Sequence, residues 1–206
     1  MCRRATKVTS MCGFLSLVLS ICAVADVYRF TDAEGIVHYT NIKPDSEQNY
    51  TTFSFPCYAS DPKCRDVDWE QVPLNTRLFR DEISTAAARY SVDESLIRAI
   101  IHAESAYQPD ALSPKGAQGL MQLMPAMQKE LQVARPFDPE SNIEGGTYHL
   151  SRMLKQFDDN VELAAAAYNS GAAVVMEYGG IPPFSETREY VRRVQILYRR
   201  YSLSGT

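Results

Sequence analysis

The chain has 206 residues, with 21 basic and 25 acidic side chains and a formal net charge of −4. This acidic balance argues against a nucleic-acid-binding protein, because such proteins present basic surfaces to phosphate groups. The length is sufficient for one modest hydrophobic core with an appendage.

Residues 1–25 have the three parts of a secretory signal peptide. Three basic residues precede an apolar run at residues 11–24, and Ala23-Val24-Ala25 then stands before Asp26. The run is shorter than the roughly 20 residues of a membrane span, so we expect cleavage after residue 25 and a periplasmic protein. A retained membrane anchor facing the periplasm is the alternative. A lipoprotein is less favoured, since Ile21 precedes Cys22 where processing requires a small residue.

Cys57 and Cys64 are the two cysteines that would remain after cleavage. An oxidising compartment favours a disulfide between them, with two free thiols as the alternative. A zinc site is disfavoured because no histidine is nearby in the sequence. We therefore assign residues 56–73 as a linker closed by the Cys57–Cys64 disulfide.

Residues 26–55 are predicted to form a β-hairpin module. Residues 27–31 and 36–40 are β-branched and aromatic runs, and residues 32–35 between them are typical of a turn. Because an isolated hairpin is only marginally stable in water, it should pack on another surface. The segment resembles a short module that precedes varied domains in bacterial envelope proteins. Structural packing is favoured over ligand binding, and an envelope protein is a candidate partner.

The polar segment at residues 41–73 contains four prolines, so no long helix is expected there. Helical periodicity begins beyond it, within a domain assigned to residues 74–206. Its first signal is Phe79, Ile83, Ala87 and Tyr90, which recur on one helical face. Residues 91–94 then predict a capping box for the next helix.

Glu104 lies near the end of that next helix. Ile97, Ile100 and Ile101 form an apolar stripe, and a residue three or four positions further along shares its face. A carboxylate on a buried face retains its proton to higher pH than a solvated one. On these residues alone, an ordinary solvated glutamate at a helix end remains the alternative.

Three further segments have both structural and functional interpretations. Residues 113–119 form a loop whose glycines and serine allow a partner to approach closely. Met121 and Met124, taken alone, favour core filling. Tyr168 and Asn169 follow an alanine run, where they either cap a helix or line a cleft, and the residues leave these two interpretations equal.

Two long helices are predicted in the remainder of the chain. The first begins at residues 142–150, and the last follows residues 181–191. Their predicted buried positions are Leu150, Met153, Leu154 and Phe157 in the first, and Tyr190, Val191, Val194, Leu197, Tyr198 and Tyr201 in the last. Opposite the second set lie Arg192, Arg193, Arg199 and Arg200, for which a solvated face is favoured over contact with anionic wall polymer or lipid.

Five segments, in this order, resemble the motifs of the soluble lytic transglycosylase catalytic domain, family 1. They are Glu104-Ser105, residues 113–125, Asn142-Ile143, residues 166–169 and residues 186–191. The resemblance covers about residues 74–201 and implies a mainly α, lysozyme-like fold. Residues 126–128 and 170–173 depart from the family pattern. The second departure affects the expected loop geometry beside Tyr168 and Asn169.

The resemblance implies cleavage of the β-1,4 bond between N-acetylmuramic acid and N-acetylglucosamine in peptidoglycan, with formation of 1,6-anhydromuramoyl ends. Glu104 would be the catalytic residue, acting first as acid and then as base. The implied substrate-binding residues are Ser113, Gln122, Met124, Tyr168, Asn169 and Tyr190. No cofactor or metal is implied, peptidoglycan strands are the expected partner, and we expect a monomer.

Three other functions have partial support in the sequence. A hydrolytic muramidase would need a second carboxylate, for which Asp110 and Glu186 are candidates. A catalytically silent glycan-binding module would be expected to lack the glutamate. His102-Ala103-Glu104 has the spacing of zinc deaminases, but their downstream cysteine pair is missing, because no cysteine follows Cys64.

Overall fold

The computed structural model describes residues 25–31, 37–40, 49–55 and 67–205. The signal-peptide run, the hairpin turn and the cysteine pair therefore lie outside the described residues. Among the helices that are described, none combines the length and the apolar character needed to cross a membrane.

The N-terminal strands form a three-stranded antiparallel sheet rather than a hairpin alone. The strands are β1 (Ala25–Thr31), β2 (Val37–Thr40) and β3 (Tyr50–Phe55), in the order β2-β1-β3. Tyr28 of β1 is opposite Thr40 on one side and Thr52 on the other, and its ring packs edge-on against Tyr50 at 5.5 Å. The sequence analysis predicted the β1–β2 hairpin but did not identify β3, which pairs along the other edge of β1. This third strand gives the pair the additional support that an isolated hairpin lacks.

Seven helices form most of the remaining described chain, in agreement with the mainly α class that the resemblance implied. They are α1 (Arg80–Tyr90), α2 (Glu94–Ser105), α3 (Pro125–Glu130), α4 (Pro139–Gln156), α5 (Val161–Ser170), α6 (Ala172–Glu177) and α7 (Ser185–Leu203). The helix predicted at residues 142–150 begins slightly earlier, because the side chain of Asp138 caps it by accepting from the Ser141 amide at 3.0 Å.

The junction between α1 and α2 differs from the predicted capping box. Asp93 caps α2 by accepting from the Ser95 amide at 2.7 Å. Ser91 instead ends α1 in the left-handed conformation, with φ of 55°. Only two residues separate Ser91 from α2, so Ser91 makes the turn and the next side chain that can accept a hydrogen bond becomes the cap.

α2 lies at the centre of the helical core. Ile97, Ile100 and Ile101 are fully buried, as predicted, and α7 covers α2 with the apolar face predicted for the last helix. His102 is also buried, 2.9 Å from the Tyr201 hydroxyl, and desolvation lowers its pKa to about 3. His102 is therefore a neutral core residue, which leaves Glu104 as the ionisable group of the last α2 turn that can serve chemistry.

The prediction of a solvated arginine face on α7 is correct for only two of the four arginines. Arg192 and Arg199 are exposed. Arg193 instead places its guanidinium 4.5 Å from the ring centre of Trp69, and Arg200 donates to the Trp69 carbonyl at 2.6 Å. The segment around Trp69 covers this side of α7, and the helical periodicity of α7 alone carries no information about that distant segment.

Candidate active site

The last turn of α2 holds Glu104 at the boundary between the core and the surface. Its side chain is partly exposed, and the packed surroundings raise its pKa to about 7, mainly by desolvation. The Tyr190 hydroxyl and the Arg193 charge oppose this rise, whereas the Glu186 charge adds to it. Glu104 can therefore both give and accept a proton near neutral pH.

Tyr190 reaches Glu104 from α7. Its ring is 3% exposed, and the closeness of the two groups affects the pKa of each. The Tyr190 hydroxyl nevertheless lacks a well-aligned hydrogen-bond partner within the described part of the chain. We therefore treat this as a loose polar contact, which leaves the hydroxyl available to donate to a carboxylate that has lost its proton.

Ser105, beside Glu104, fixes the following loop to the end of α2. Its buried hydroxyl faces the Leu120 carbonyl at 2.8 Å and the Ile101 carbonyl at 3.1 Å. The sequence identified Ser105 only as part of a motif. The structure shows that it connects the helix that carries Glu104 with the loop that carries other predicted site residues.

Asn142 holds the same loop from the side of α4. It is fully buried, accepts from the Met121 amide at 2.7 Å, and donates to the carbonyls of Gln118 at 3.0 Å and Pro136 at 2.7 Å. Gly119 lies beneath it with φ of 77°, and a Cβ there would lie 2.1 Å from the Pro136 carbonyl oxygen. Both the conformation and the space therefore require glycine at position 119.

The predicted binding residues of this loop have distinct environments. The Gln122 amide donates to Gly119 at 2.8 Å and to Ala111 at 3.1 Å, which leaves its buried Oε1 without a partner among the residues described. Met124 is 43% exposed, in contrast to the core-filling interpretation, while Met121 is buried as that interpretation expects. Met124 is therefore open to contact by a ligand, whereas Gln122 keeps an unused acceptor that is buried in this structure.

Ser113 lies in the turn at residues 113–117. Its hydroxyl accepts from the Ala117 amide at 2.9 Å, and its own amide donates to the Ala117 carbonyl at 2.9 Å. These bonds shape the turn and leave the Ser113 hydroxyl proton to be donated elsewhere. The predicted role of Ser113 in substrate binding stays a prediction.

Tyr168 and Asn169, at the end of α5, contact two different elements. The Tyr168 hydroxyl donates to the Met121 carbonyl at 2.9 Å, and its pKa is raised well above the usual value by burial and by Glu104. Asn169 accepts from the Thr187 hydroxyl of α7 at 2.9 Å. Neither side chain caps α5, and their predicted role in substrate binding stays a prediction.

Arg193 is a site residue that the sequence analysis missed. Its guanidinium contacts the Ala103 carbonyl at 3.5 Å, and its charge lowers the pKa of Glu104. A signal was present, because Arg193 follows Tyr190 by three positions and therefore lies on the same side of α7. The sequence analysis overlooked this position because it assigned all the arginines of α7 to one solvated face.

Residues 81–191 match the family model of the transglycosylase SLT domain, which is more than half of the chain, so the chain belongs to this family. It is 41% identical over 91 residues to a transglycosylase of Enterobacteria phage PRD1, covering 44% of this chain and 34% of that protein. It is 32% identical over 148 residues to the soluble lytic murein transglycosylase of Escherichia coli K12, covering 61% and 22%. The resemblance drawn from the motifs is thereby confirmed.

Solved structures support the lysozyme-like helical fold. An inactive mutant of the lytic transglycosylase Slt from Pseudomonas aeruginosa superposes with a TM-score of 0.57 at 31% identity, over 63% of this chain and 24% of that one. The 70 kDa soluble lytic transglycosylase of Escherichia coli gives a TM-score of 0.56 at 32% identity, over 61% and 24%. The chain thus spans between 22% and 34% of the length of these proteins.

Proposed function

We propose that this protein is a peptidoglycan lytic transglycosylase. It cleaves the β-1,4 bond between N-acetylmuramic acid and N-acetylglucosamine and leaves 1,6-anhydromuramoyl ends. The observation that carries the proposal is Glu104, a partly buried carboxyl group with a pKa of about 7 at the end of the central helix of an SLT domain. The relatives' names include soluble and membrane-bound lytic murein transglycosylases.

The first step is general acid catalysis by Glu104. Because its pKa is about 7, a large fraction of Glu104 is protonated at neutral pH and can donate to the leaving glycosidic oxygen. The carboxylate that results lies beside the Tyr190 hydroxyl and the Arg193 charge, both of which favour the ionised form. The site therefore supports both protonation states.

In the second step, Glu104 acts as a base. It takes the proton of the muramoyl C6 hydroxyl as that oxygen attacks C1 of the same sugar and closes the anhydro ring. The proton given to the leaving group is thus replaced, and no water is consumed. Since the nucleophile belongs to the reacting sugar, ring closure benefits from a large effective molarity.

A hydrolytic muramidase is the second candidate. Glu186 favours it, because its charge is near enough to raise the pKa of Glu104. However, the Glu186 side chain is 70% exposed and pairs with Lys115 at 3.2 Å, so it is poorly arranged to hold a nucleophilic water. The arrangement therefore favours the reaction that needs one carboxylate over the one that needs two.

The substrate contacts follow from the groups that remain available. Gln122, whose Oε1 is an unused acceptor, binds the sugar, the exposed Met124 packs on an apolar sugar face, and Ser113 donates its hydroxyl proton. Tyr168, Asn169 and Tyr190 position the muramoyl ring or Glu104. No cofactor takes part in this scheme.

The proposal also includes the setting of the enzyme. Residues 1–25 direct export to the periplasm, where peptidoglycan strands are the partner. Residues 26–55 form a separate module, now extended to three strands, that is suited to contact an envelope protein. Residues 74–206 form the transglycosylase domain, which acts as a monomer.

The test is digestion of purified sacculi followed by mass spectrometry of the released muropeptides. Wild-type protein should release anhydro ends, and Glu104→Gln should reduce release by a factor on the order of 10² to 10⁴ with an unchanged circular dichroism spectrum. Glu177→Gln, at an exposed glutamate that ends α6, is the matched control. Full activity of Glu104→Gln would refute the proposal, and muramic acid at reducing ends would identify the hydrolase instead.

A further inference from the structure

A second polar pocket lies toward the opposite end of α2 from Glu104. It is formed where the segment before α1, the first turn of α1, the first half of α2 and the end of α7 meet. Its principal side chains are Thr76, Arg77, Arg80, Ser84, Glu94 and Arg98. None of these residues belongs to the site described above.

Arg98 is the unusual member of this pocket. It is only 1% exposed, and its Nη1 makes two long contacts, to the carbonyls of Leu78 at 3.3 Å and Asn75 at 3.5 Å. Its guanidinium also lies against the hydroxyl of Tyr107, which is a neutral partner. Its Nε has no partner, and it forms no ion pair within the described part of the chain. An arginine cannot lose its charge in a protein, so burying it without a counter-charge is costly.

The rim of the pocket adds positive charge and hydrogen-bond donors. Arg77 and Arg80 are exposed and form no ion pair with the residues that the structure describes. Thr76 and Ser84 contribute hydroxyl groups, and Glu94 is the acidic side chain among the lining residues. Three guanidinium groups against one carboxylate leave the pocket with a surplus of positive charge.

We propose that this pocket binds an oxyanion of the phosphate class, with Arg98 at its base and Arg77 and Arg80 at its rim. Guanidinium groups bind phosphate with paired, charge-assisted hydrogen bonds. A phosphate also presents oxygens in several directions, which suits donors from separate elements, whereas a carboxylate presents two oxygens in one plane. The proposal does not depend on the activity assigned to Glu104.

The test is isothermal titration of the purified protein with inorganic phosphate at constant ionic strength. Wild-type protein should bind one phosphate saturably, and Arg77→Gln and Arg80→Gln should each weaken binding about tenfold, the effect of losing one charge-assisted hydrogen bond. Both residues are exposed, so these variants should fold. Arg98→Met should remove binding, with folding checked by circular dichroism.

Arg135→Gln is the matched control, because Arg135 is an exposed arginine outside the pocket that pairs with Asp138 at 3.5 Å. It should bind phosphate as the wild type does. The proposal is overturned if wild type gives no binding, if Arg135→Gln loses as much affinity as Arg77→Gln, or if acetate competes as well as phosphate.

A vesicle-binding experiment distinguishes a lipid headgroup from a soluble phosphate as the natural ligand. Retention of the protein by phosphatidylglycerol vesicles but not by phosphatidylcholine vesicles, lost in Arg77→Gln, would assign the site to an anionic lipid headgroup. Binding of inorganic phosphate without vesicle retention would assign it to a soluble phosphate. Both results support the site, whereas retention that Arg77→Gln leaves unchanged would show that vesicles bind elsewhere and exclude the lipid source.

Discussion

Two ionisable side chains of α2, Glu104 in its last turn and Arg98 in its first half, are shielded from water and respond differently. Glu104 can become neutral by keeping its proton, which is why its pKa rises to about 7. Arg98 has no such option, because a guanidinium stays charged at every pH at which the protein is folded. A buried carboxyl group thus becomes a proton donor, while a buried guanidinium without a counter-ion becomes a site for an anion.

The largest expected change in stability comes from the loop beside Glu104, which does not line the Arg98 pocket. Gly119→Ala would bring a Cβ within 2.1 Å of a backbone carbonyl at positive φ, so we expect a loss of about 3 kcal/mol or more in unfolding free energy. Gly116 has φ of 89° with nothing within 4 Å of a Cβ, so Gly116→Ala should cost only about 1–2 kcal/mol.

Urea unfolding of both glycine variants measures this difference. Sacculus digestion by the folded fraction of Gly119→Ala should also fall, since the loop that carries Gln122 must move, while phosphate binding at the Arg98 end should persist. Equal destabilisation by the two alanines would contradict the structure of this loop.

An intermediate effect is expected in the pH dependence of stability, which should differ between variants of Glu104 and of Arg98. The pKa of Glu104 is about 7 in the folded protein against an ordinary 4.5, so its contribution to stability is present below pH 4.5 and is lost as pH rises through 7. Glutamine does not titrate. Glu104→Gln should therefore unfold at similar urea concentrations to the wild type at pH 4 and be more stable by about 2–3 kcal/mol at pH 8.5.

Arg98→Met supplies the contrast in the same urea experiment. Its effect on stability should be the same at pH 4 and pH 8.5, because guanidinium groups in proteins keep their charge. If Glu104→Gln instead showed the same difference from wild type at both pH values, Glu104 would be an ordinary solvated glutamate and the comparison would fail.

The smallest effect is a shift of the pH–activity profile. Activity should fall on the alkaline side as Glu104 loses its proton, and Arg193 lowers the pKa of Glu104. Arg193→Gln should therefore move the alkaline limb of kcat/KM to higher pH, by about one pH unit or less. Arg192→Gln, at the exposed neighbour, should leave the profile unchanged, and a shift in the opposite direction would contradict the role of Arg193.

Local sequence patterns predicted the structural features that are determined by residues close together in the chain. Helical periodicity gave the buried isoleucines of α2 and the apolar face of α7, and it placed Glu104 beside that buried stripe. The ordered motifs supplied the family, which local propensity alone could not have done. The buried faces were predictable because helical periodicity depends on residues within a few helical turns.

The errors arose where distant segments meet. β3 was missed because prolines on both sides of it suggested a linker, and only pairing with β1 makes it a strand. Arg193 was assigned to solvent because nothing in α7 indicates that Trp69 covers it. The three hydrogen bonds of Asn142 reach residues up to 24 positions away, which no local pattern specifies.

Tyr168 and Asn169 are consecutive residues that hold opposite borders of the site, one through the Met121 carbonyl and the other through Thr187. The end of α5 therefore joins the loop at Met121 to the first turn of α7. A displacement of this helix end would strain both hydrogen bonds at once, which couples the loop and α7 mechanically.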